Sequence, residues 1–478
     1  MKIHATRTRR EEGVILIVVL CTCAVIGITL AAFMTMTSQH NVTVARSQTW
    51  NSSMILSEAG IEDALSLINK RAGRFTTIDG SSRLERWTNS TGGDNWDTLS
   101  YWPTYIYTTH RTIGNDYYDV YITNIGTTPT ILSVGTVNWS GQYASAPQSH
   151  AYVATIGNVS TVTTRTNVSR KVLVTASRTG LFDVAMAAIQ TIDFKGNNIN
   201  TDSFDSSNPL YSTNGLYPAG KSSMIRSNGD VCSDLTIISS ISVGNANIHG
   251  KARTGPNGTV AFGPNGYATG GTYNDFNVTF PDVVLPTASW VPGSSGNYSY
   301  GGNSYKYLFT SSGDYTVAGH LEADERVGSD ADAAGEACDG TNALVRLKVT
   351  SDVKLTGNSD QIRVCPGANL EMYINTPDIS IGGQGVVNDN NKAANCYIYG
   401  LTNSTSISIA GNATMTYALY APQAAYTLGG GGATVYDFMG ASVSKTVVMN
   451  GHFKFHYDEA LRITGPGRGY VLTNWKES

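Results

Sequence analysis

Charge is what this sequence has least of. Asp, Glu, Lys and Arg together make up 14% of the 478 residues and leave a net charge of −4, where an ordinary globular domain carries about 25% charged residues. The deficit excludes a nucleic-acid surface, which needs a basic patch interleaved with aromatics. GxxxxGK[ST] is matched by GLYPAGKS at Gly215 to Ser222, but a stretch rich in Gly, Asn and Ser surrounds it, with no β-branched strand run leading in and no helical run leading out, so it does not read as a nucleotide loop. Neither G-x-S-x-G nor H-E-x-x-H occurs, and the usual hydrolase and metalloprotease signatures are missing. Cysteine is also scarce. Of the six, Cys21 and Cys23 sit two residues apart, which on a helix points them to opposite sides. The other four, Cys232, Cys338, Cys365 and Cys396, include no CxxC pair, so a zinc ribbon is not indicated. Four cysteines in an exported segment fit an oxidising compartment with up to two disulfides, and three connectivities are open.

What the chain does have is one long uncharged run. Val14 to Met36 contains no charged residue and follows a basic tip carrying Lys2, Arg7, Arg9 and Arg10. At about 1.5 Å per residue it spans roughly 35 Å, enough to cross a hydrocarbon core of about 30 Å. The run is too long for the core of a secretory signal peptide, and Leu20 before Cys21 does not make a lipoprotein signal. Arginines before the span and few basic residues after it place the N-terminus in the cytoplasm and the rest outside. Beyond the span, Met54, Ile61, Leu65 and Ile68 recur at helical spacing. One helix running to about Arg71 would be apolar all round in its first half and amphipathic in its second.

A basic leader ending in Gly13, an apolar helix directly after it, REEGVILIVVL at Arg10 to Leu20 and LSEAGIEDAL at Leu56 to Leu65 resemble the PilX-type pilus-assembly proteins, which are minor pilin-like. Minor pseudopilins of type II secretion share the first half of this pattern. The resemblance implies processing between Gly13 and Val14 by a prepilin peptidase. It also implies an inner-membrane, single-pass location before assembly, and other pilin or pseudopilin subunits as partners along the helix. Major pilins carry Glu five residues after the processed Gly; here that residue is Val18. A membrane-anchored surface adhesin whose helix never leaves the bilayer is the alternative reading.

The expected fold is mainly β beyond the helix. Residues 1–13 read as the leader, 14–71 as the helix, and 72–180 as a small antiparallel β-domain of aromatic and β-branched runs. Within that domain Trp87, Trp96, Trp102 and Trp139 fit either core or sugar stacking. Residues 181–460 read as a Gly/Asn-rich right-handed β-solenoid, and 461–478 as a C-terminal tail. Short apolar runs end at Gly357, Gly382, Gly411, Gly429 and Gly451, spaced 25, 29, 18 and 22 residues apart, a drifting period that suggests stacked coils. A β-sandwich is the structural alternative. The Gly-rich C-terminal part also looks like solenoid modules attached to PilX-type anchors.

Three groups carry candidate chemistry. Asp324, Asp330, Asp332, Glu336 and Asp339, with Glu322, form an acidic stretch whose oxygen density suits calcium; it lacks the spacing of a calcium loop and reads equally as a solvated insertion. In HFKFHYDEAL, a strand would put His452, Lys454, His456 and Asp458 on one face and Phe453, Phe455 and Tyr457 on the other. That pattern fits an aromatic seal at a solenoid end, or a metal pair spoiled by its lysine. Lys354, Arg363 and Glu371 stand isolated from one another, which is not the clustered carboxylate arrangement of a β-helix carbohydrate-active enzyme. The sequence thus reads as a structural subunit, not an enzyme, with no cofactor and no nucleic acid among its partners.

Overall fold

The computed structural model describes residues 9–72, 97–101, 104–124, 128–138, 152–156, 159–163, 167–300, 303–317, 324–327, 343–355, 360–411, 415–430, 438–465 and 467–477. These divide into two units. One comprises the N-terminal helix, the described segments up to Ser177 and the last residues from Tyr470; the other comprises Arg178 to Gly469.

In the first unit, helix α1 (Arg9–Ala72) is continuous. Its C-terminal half carries Leu56, Ile61, Ala64, Leu67 and Ile68 on one buried face, and that face lies on an antiparallel sheet. The sheet runs through β1 (Asp97–Tyr101), β2 (Thr104–Ile113), β3 (Asp116–Thr123), β4 (Thr130–Val137) and β7 (Val168–Gly180). A separate hairpin pairs β5 (Tyr152–Ile156) with β6 (Val159–Thr163). Alternation puts Tyr118, Val120 and Ile122 of β3 and Val172, Val174 and Ala176 of β7 inside, as a half-buried sheet requires. Two glycines allow the close approach of helix and sheet: a Cβ on Gly60 would run into Ser133 and Val120, and one on Gly135 into the backbone at Ser53 and Ser57. Between them the Ser57 hydroxyl accepts from the Gly135 N–H at 2.9 Å and lies 2.9 Å from the Arg170 carbonyl.

The stretch read as a C-terminal tail carries a short helix, Leu461–Thr464, and a strand, Gly467–Glu477, which takes the place next to β7 at the edge of the sheet. Asn69 accepts from the Tyr470 N–H at 2.6 Å, and Glu477 pairs with Arg170. The second unit is therefore an insertion between two neighbouring strands of the first.

The inserted unit is a parallel, solenoid-like stack in which each turn of chain makes three short strands, and its winding order departs from its sequence order. On one face the rungs run Gly313–Val317, Leu344–Val349, Asn369–Ile374, Cys396–Gly400, then residues 418–420 and 441–444, all in parallel register. The next rung is not downstream. Ser442, Val443 and Ser444 pair with Met186, Ala187 and Ala188, and from there the stack continues to Val231–Ser233, Ala252–Arg253 and Thr272–Tyr273. The chain thus starts in the middle, winds to one end, crosses to the other end and winds back to where it began.

The crossing is the extended segment 274–290. Val278 N–H donates to Asp234 at 3.1 Å, the Pro281 carbonyl accepts from Tyr420 at 2.6 Å, and Trp290 meets Tyr373 edge-on at 6.3 Å. Seven rung steps separate Tyr273 from Tyr373, about 34 Å at about 4.8 Å per step, and the extended residues 274–290 reach about 56 Å, so the segment covers the distance with room to follow the surface. Inside the stack, inward positions are apolar rung after rung, as with Leu347, Met372, Ile398 and Leu419, all fully buried. At the corners, Asn198, Asn257 and Asn391 hold the positive φ for which Asn is suited, and Asn369–Asn395 and Asn375–Asn403 form side-chain rungs at 2.7 and 2.9 Å.

Candidate functional site

Two features stand apart from ordinary scaffold. The first is the N-terminal half of α1. It is long and apolar enough to cross a membrane by length and composition, and no part of the described chain covers it: Val14, Ile28 and Met36 are 60%, 70% and 73% exposed. Its few hydroxyls satisfy themselves. Thr22, Thr29, Thr35 and Thr37 donate to the carbonyls of Val19, Val25, Ala32 and Phe33 at 2.8 to 2.9 Å, which removes the cost, several kcal/mol in hydrocarbon, of an unmet polar group. Gly13 lies within α1, directly before Val14. Outside the span, Asp63 receives the Tyr118 hydroxyl at 3.1 Å and the Arg111 guanidinium at 2.8 Å; burial, helped by Asp63, pushes the Tyr118 hydroxyl up to about 12.

The second feature is a buried polar cluster where the two ends of the inserted chain meet. Strand Lys454–Asp458 pairs on one side with Phe438–Gly440 and on the other with Asn200–Phe204. The alternation expected for HFKFHYDEAL is present: Phe453, Phe455 and Tyr457 face the core and are buried, with Phe455 stacked on Phe438 at 4.3 Å. The strand does not seal an end of the stack, however, because the chain winds in from both ends and closes here. The outward residues are not on an open face either. His456 and Asp458 are as buried as the aromatics, while His452 lies before the strand, exposed, 3.1 Å from the Asn198 amide.

His456 Nδ1 is 2.5 Å from Asp202 Oδ1. The other Asp202 oxygen accepts from the Tyr217 hydroxyl at 2.7 Å, and the Tyr217 ring stacks on the His456 ring at 3.5 Å. Asp458 accepts from the Ser206 N–H at 3.0 Å and its hydroxyl at 2.7 Å; burial raises this carboxyl to about 6 against the pull of those bonds. Glu459 accepts from Ser203 at 2.7 Å and Asn228 at 2.8 Å and pairs with Arg226 at 3.0 Å. Asp202, Ser206 and Tyr217 carry no signal in the sequence, since His456 and Asp458, which they enclose, lie 239 to 254 residues away. Among the described residues no group of three His, Cys, Asp or Glu side chains is arranged to hold a metal ion.

The remaining candidates are dispersed. Asp324 lies on the strand Asp324–Val327; Glu322, Asp330, Asp332, Glu336 and Asp339 fall outside the described residues, as do Trp87, Trp96, Trp102 and Trp139. Of the cysteines expected to pair, Cys365 is disulfide-bonded and Cys338 lies outside the described residues. Cys232 and Cys396 are free and fully buried, which corrects the expectation for those two. Each occupies a rung where packing holds it among apolar neighbours, and burial pushes both thiols up, Cys396 to about 12. Arg363 forks onto Asp389 at 2.7 and 3.1 Å, and Lys354 lies 3.5 Å from Asp352. Glu371 is buried with the Tyr373 hydroxyl on it at 3.0 Å.

A family model for a domain of unknown function, DUF7305, matches residues 295–464, about a third of the chain. Those residues run from the hairpin formed by Ser295–Tyr300 and Asn303–Phe309 to the short helix after Glu459, so the match takes in the coils that wind back to the closure and omits those that leave it. No curated protein matches. Among solved structures the chain is similar to the competence-associated pilin ComZ from Thermus thermophilus, with 9% identity and a TM-score of 0.21 over 89% of this chain and 97% of that one. A score that low leaves kinship of fold undemonstrated.

Proposed function

We propose that the protein is a minor pilin-like structural subunit of a type IV pilus or related pseudopilus, anchored by α1 in the inner membrane before assembly and presenting its inserted β unit outside. The observation that carries this reading is the contrast along one helix. Residues 14–36 are uncharged and exposed on every side, whereas residues 53–68 are packed on an antiparallel sheet. An apolar cylinder of that size exceeds what a soluble surface leaves open, and lipid followed by the helices of like subunits supplies the cover. Processing by a prepilin peptidase between Gly13 and Val14 is part of the proposal.

A position at the tip, or a role in initiating assembly, follows from Val18. In a bundle of apolar helices a carboxylate near the start neutralises a neighbour's N-terminal amine, and an unpaired charge there is expensive. Val18 offers no such partner. A subunit without it fits best where one neighbour is absent, and the inserted unit, residues 178–469, would crowd if repeated at every step of a shaft.

Mass spectrometry of the mature N-terminus tests the reading: a chain beginning at Val14 is expected, and an intact N-terminus in cells with active peptidase leaves only the membrane-anchored adhesin. Immunogold labelling separates the finer claim. Label confined to filament ends is expected, and uniform decoration along the shaft would overturn the tip role.

A further inference from the structure

The closure of the inserted unit is held by more than strand pairing. The two rungs that meet there, residues 186–204 and 438–458, are joined through no adjacent covalent chain; the segment between them runs to both ends of the stack first. Such a seam has the same backbone bonds as any other rung. It lacks the short connection that keeps neighbouring rungs together elsewhere, and the entropy of bringing distant segments together falls on its side chains.

At this seam one corner is enlarged. The turn from Asn197–Phe204 to Val231–Ser233 takes residues 205–230, whereas the same corner one rung further on takes only residues 249–251. The enlarged corner folds back over the outer face with its own small core, Tyr217 and Leu216 against Phe204 and Met439. Its polar contacts cross the seam. Ser206, on the outgoing half, holds Asp458 of the returning half; Tyr217 stacks on His456; Arg226 and Asn228 hold Glu459. Asp202 and Ser203, in the first strand of the seam, complete the set through His456 and Glu459.

We propose that residues 205–228 are a clasp that locks the two half-stacks together, so that they open as one or not at all. The arrangement also fixes where the chain comes and goes. Arg178, at the start of the unit, donates to the carbonyls of Ile463 and Gly465 at 2.8 and 2.6 Å, and the Tyr457 hydroxyl donates to the Phe182 carbonyl at 2.6 Å. Releasing the clasp turns one rigid body into two half-stacks joined by the crossing segment 274–290. This inference stands independently of the pilin reading.

Hydrogen exchange on the full-length protein in detergent tests it, comparing wild type with the combined variant Ser206→Ala, Tyr217→Ala and Arg226→Ala. Exchange at least tenfold faster in peptides from 186–204 and 438–458, with rates in 344–374 unchanged, is the expected result. Unchanged exchange at the seam, or equal acceleration in both regions, would overturn the clasp. Should the variant fail to fold, Asn200→Cys with Lys454→Cys places a disulfide between two residues that face each other across the seam. Recovery of folding in that background supports the clasp, and failure to recover it once the disulfide has formed overturns it.

Discussion

The coils between Gly313 and Gly430 stack on chain they have just left, whereas at the closure Val443 stacks on Ala187 and His456 on Asp202, partners 256 and 254 residues distant. The two regions use the same rung geometry and the same inward apolar residues. They differ in what secures neighbouring rungs. In the consecutive region short corners such as residues 350–352 and 375–377 do so, helped by Asn rungs such as Asn369–Asn395 and by ion pairs between successive strands such as Arg346–Asp314 at 2.5 Å. At the closure a buried network of Asp, His, Tyr and Glu takes that part. Placing charge in the interior is justified only where its partners are fully provided, and here each carboxylate has at least two hydrogen-bond or ion-pair partners.

The largest expected effect probes this contrast in the core. Phe455 is fully buried beneath the clasp, stacked on Phe438 and paired across the seam with Thr201. Phe455→Ala is expected to cost about 3 to 5 kcal/mol, the range for deleting a buried aromatic. Phe262→Ala, at the outermost rung where the ring is 41% exposed, should stay within about 0.5 kcal/mol. Chemical denaturation of both variants checks the pair. A cost at Phe262 equal to that at Phe455 would mean that the terminal rung is as thoroughly packed as the closure, and the comparison would fail.

The legibility of the chain follows the same division. Helix α1 was readable because its signals are local: an uncharged run, then Met54, Ile61, Leu65 and Ile68 at helical spacing, although Met54 and Leu65 flank the buried stripe that Leu56, Ala64 and Leu67 share with Ile61 and Ile68. The rungs at Gly382, Gly411 and Gly429 were readable because a coil repeats along the chain. Inward Phe453, Phe455 and Tyr457 were readable from alternation. The closure was not, since periodicity reports only which residues stack on their sequence neighbours, and nothing in DSFDSSNPLYSTNGLY, Asp202 to Tyr217, announces that its two ends will enclose His456. The edge strand Gly467–Glu477 escaped for the same reason: its partner β7 lies on the far side of the insertion. Cys232 and Cys396 were misread because composition and compartment indicate that cysteines can pair, while burial on separate rungs decides whether they meet.

The smaller expected effect uses one buried carboxyl from each region. Burial pushes Glu371, in the consecutive coils, up to about 7, and Asp458, at the closure, up to about 6, in both cases against hydrogen bonds that favour the ionised form. A carboxyl raised on folding binds its proton more tightly in the folded than in the unfolded chain. Its contribution is therefore greatest at low pH and is lost as pH rises from the unfolded value near 4 to the folded one. Between about pH 4 and 6 both groups act, and between about 6 and 7 Glu371 acts alone. Each full shift corresponds to a change on the order of 3 kcal/mol. Urea midpoints of the full-length protein in detergent should fall from pH 5 to pH 7, and midpoints that rise over that interval would contradict the assignment. Glu371→Gln sharpens the test. The amide oxygen can still accept from Tyr373, whose hydroxyl lies 3.0 Å from the carboxyl, but the side chain no longer titrates. The variant should flatten the fall between pH 6 and 7 while leaving the part below pH 6 that belongs to Asp458, so the two regions separate on one pH axis.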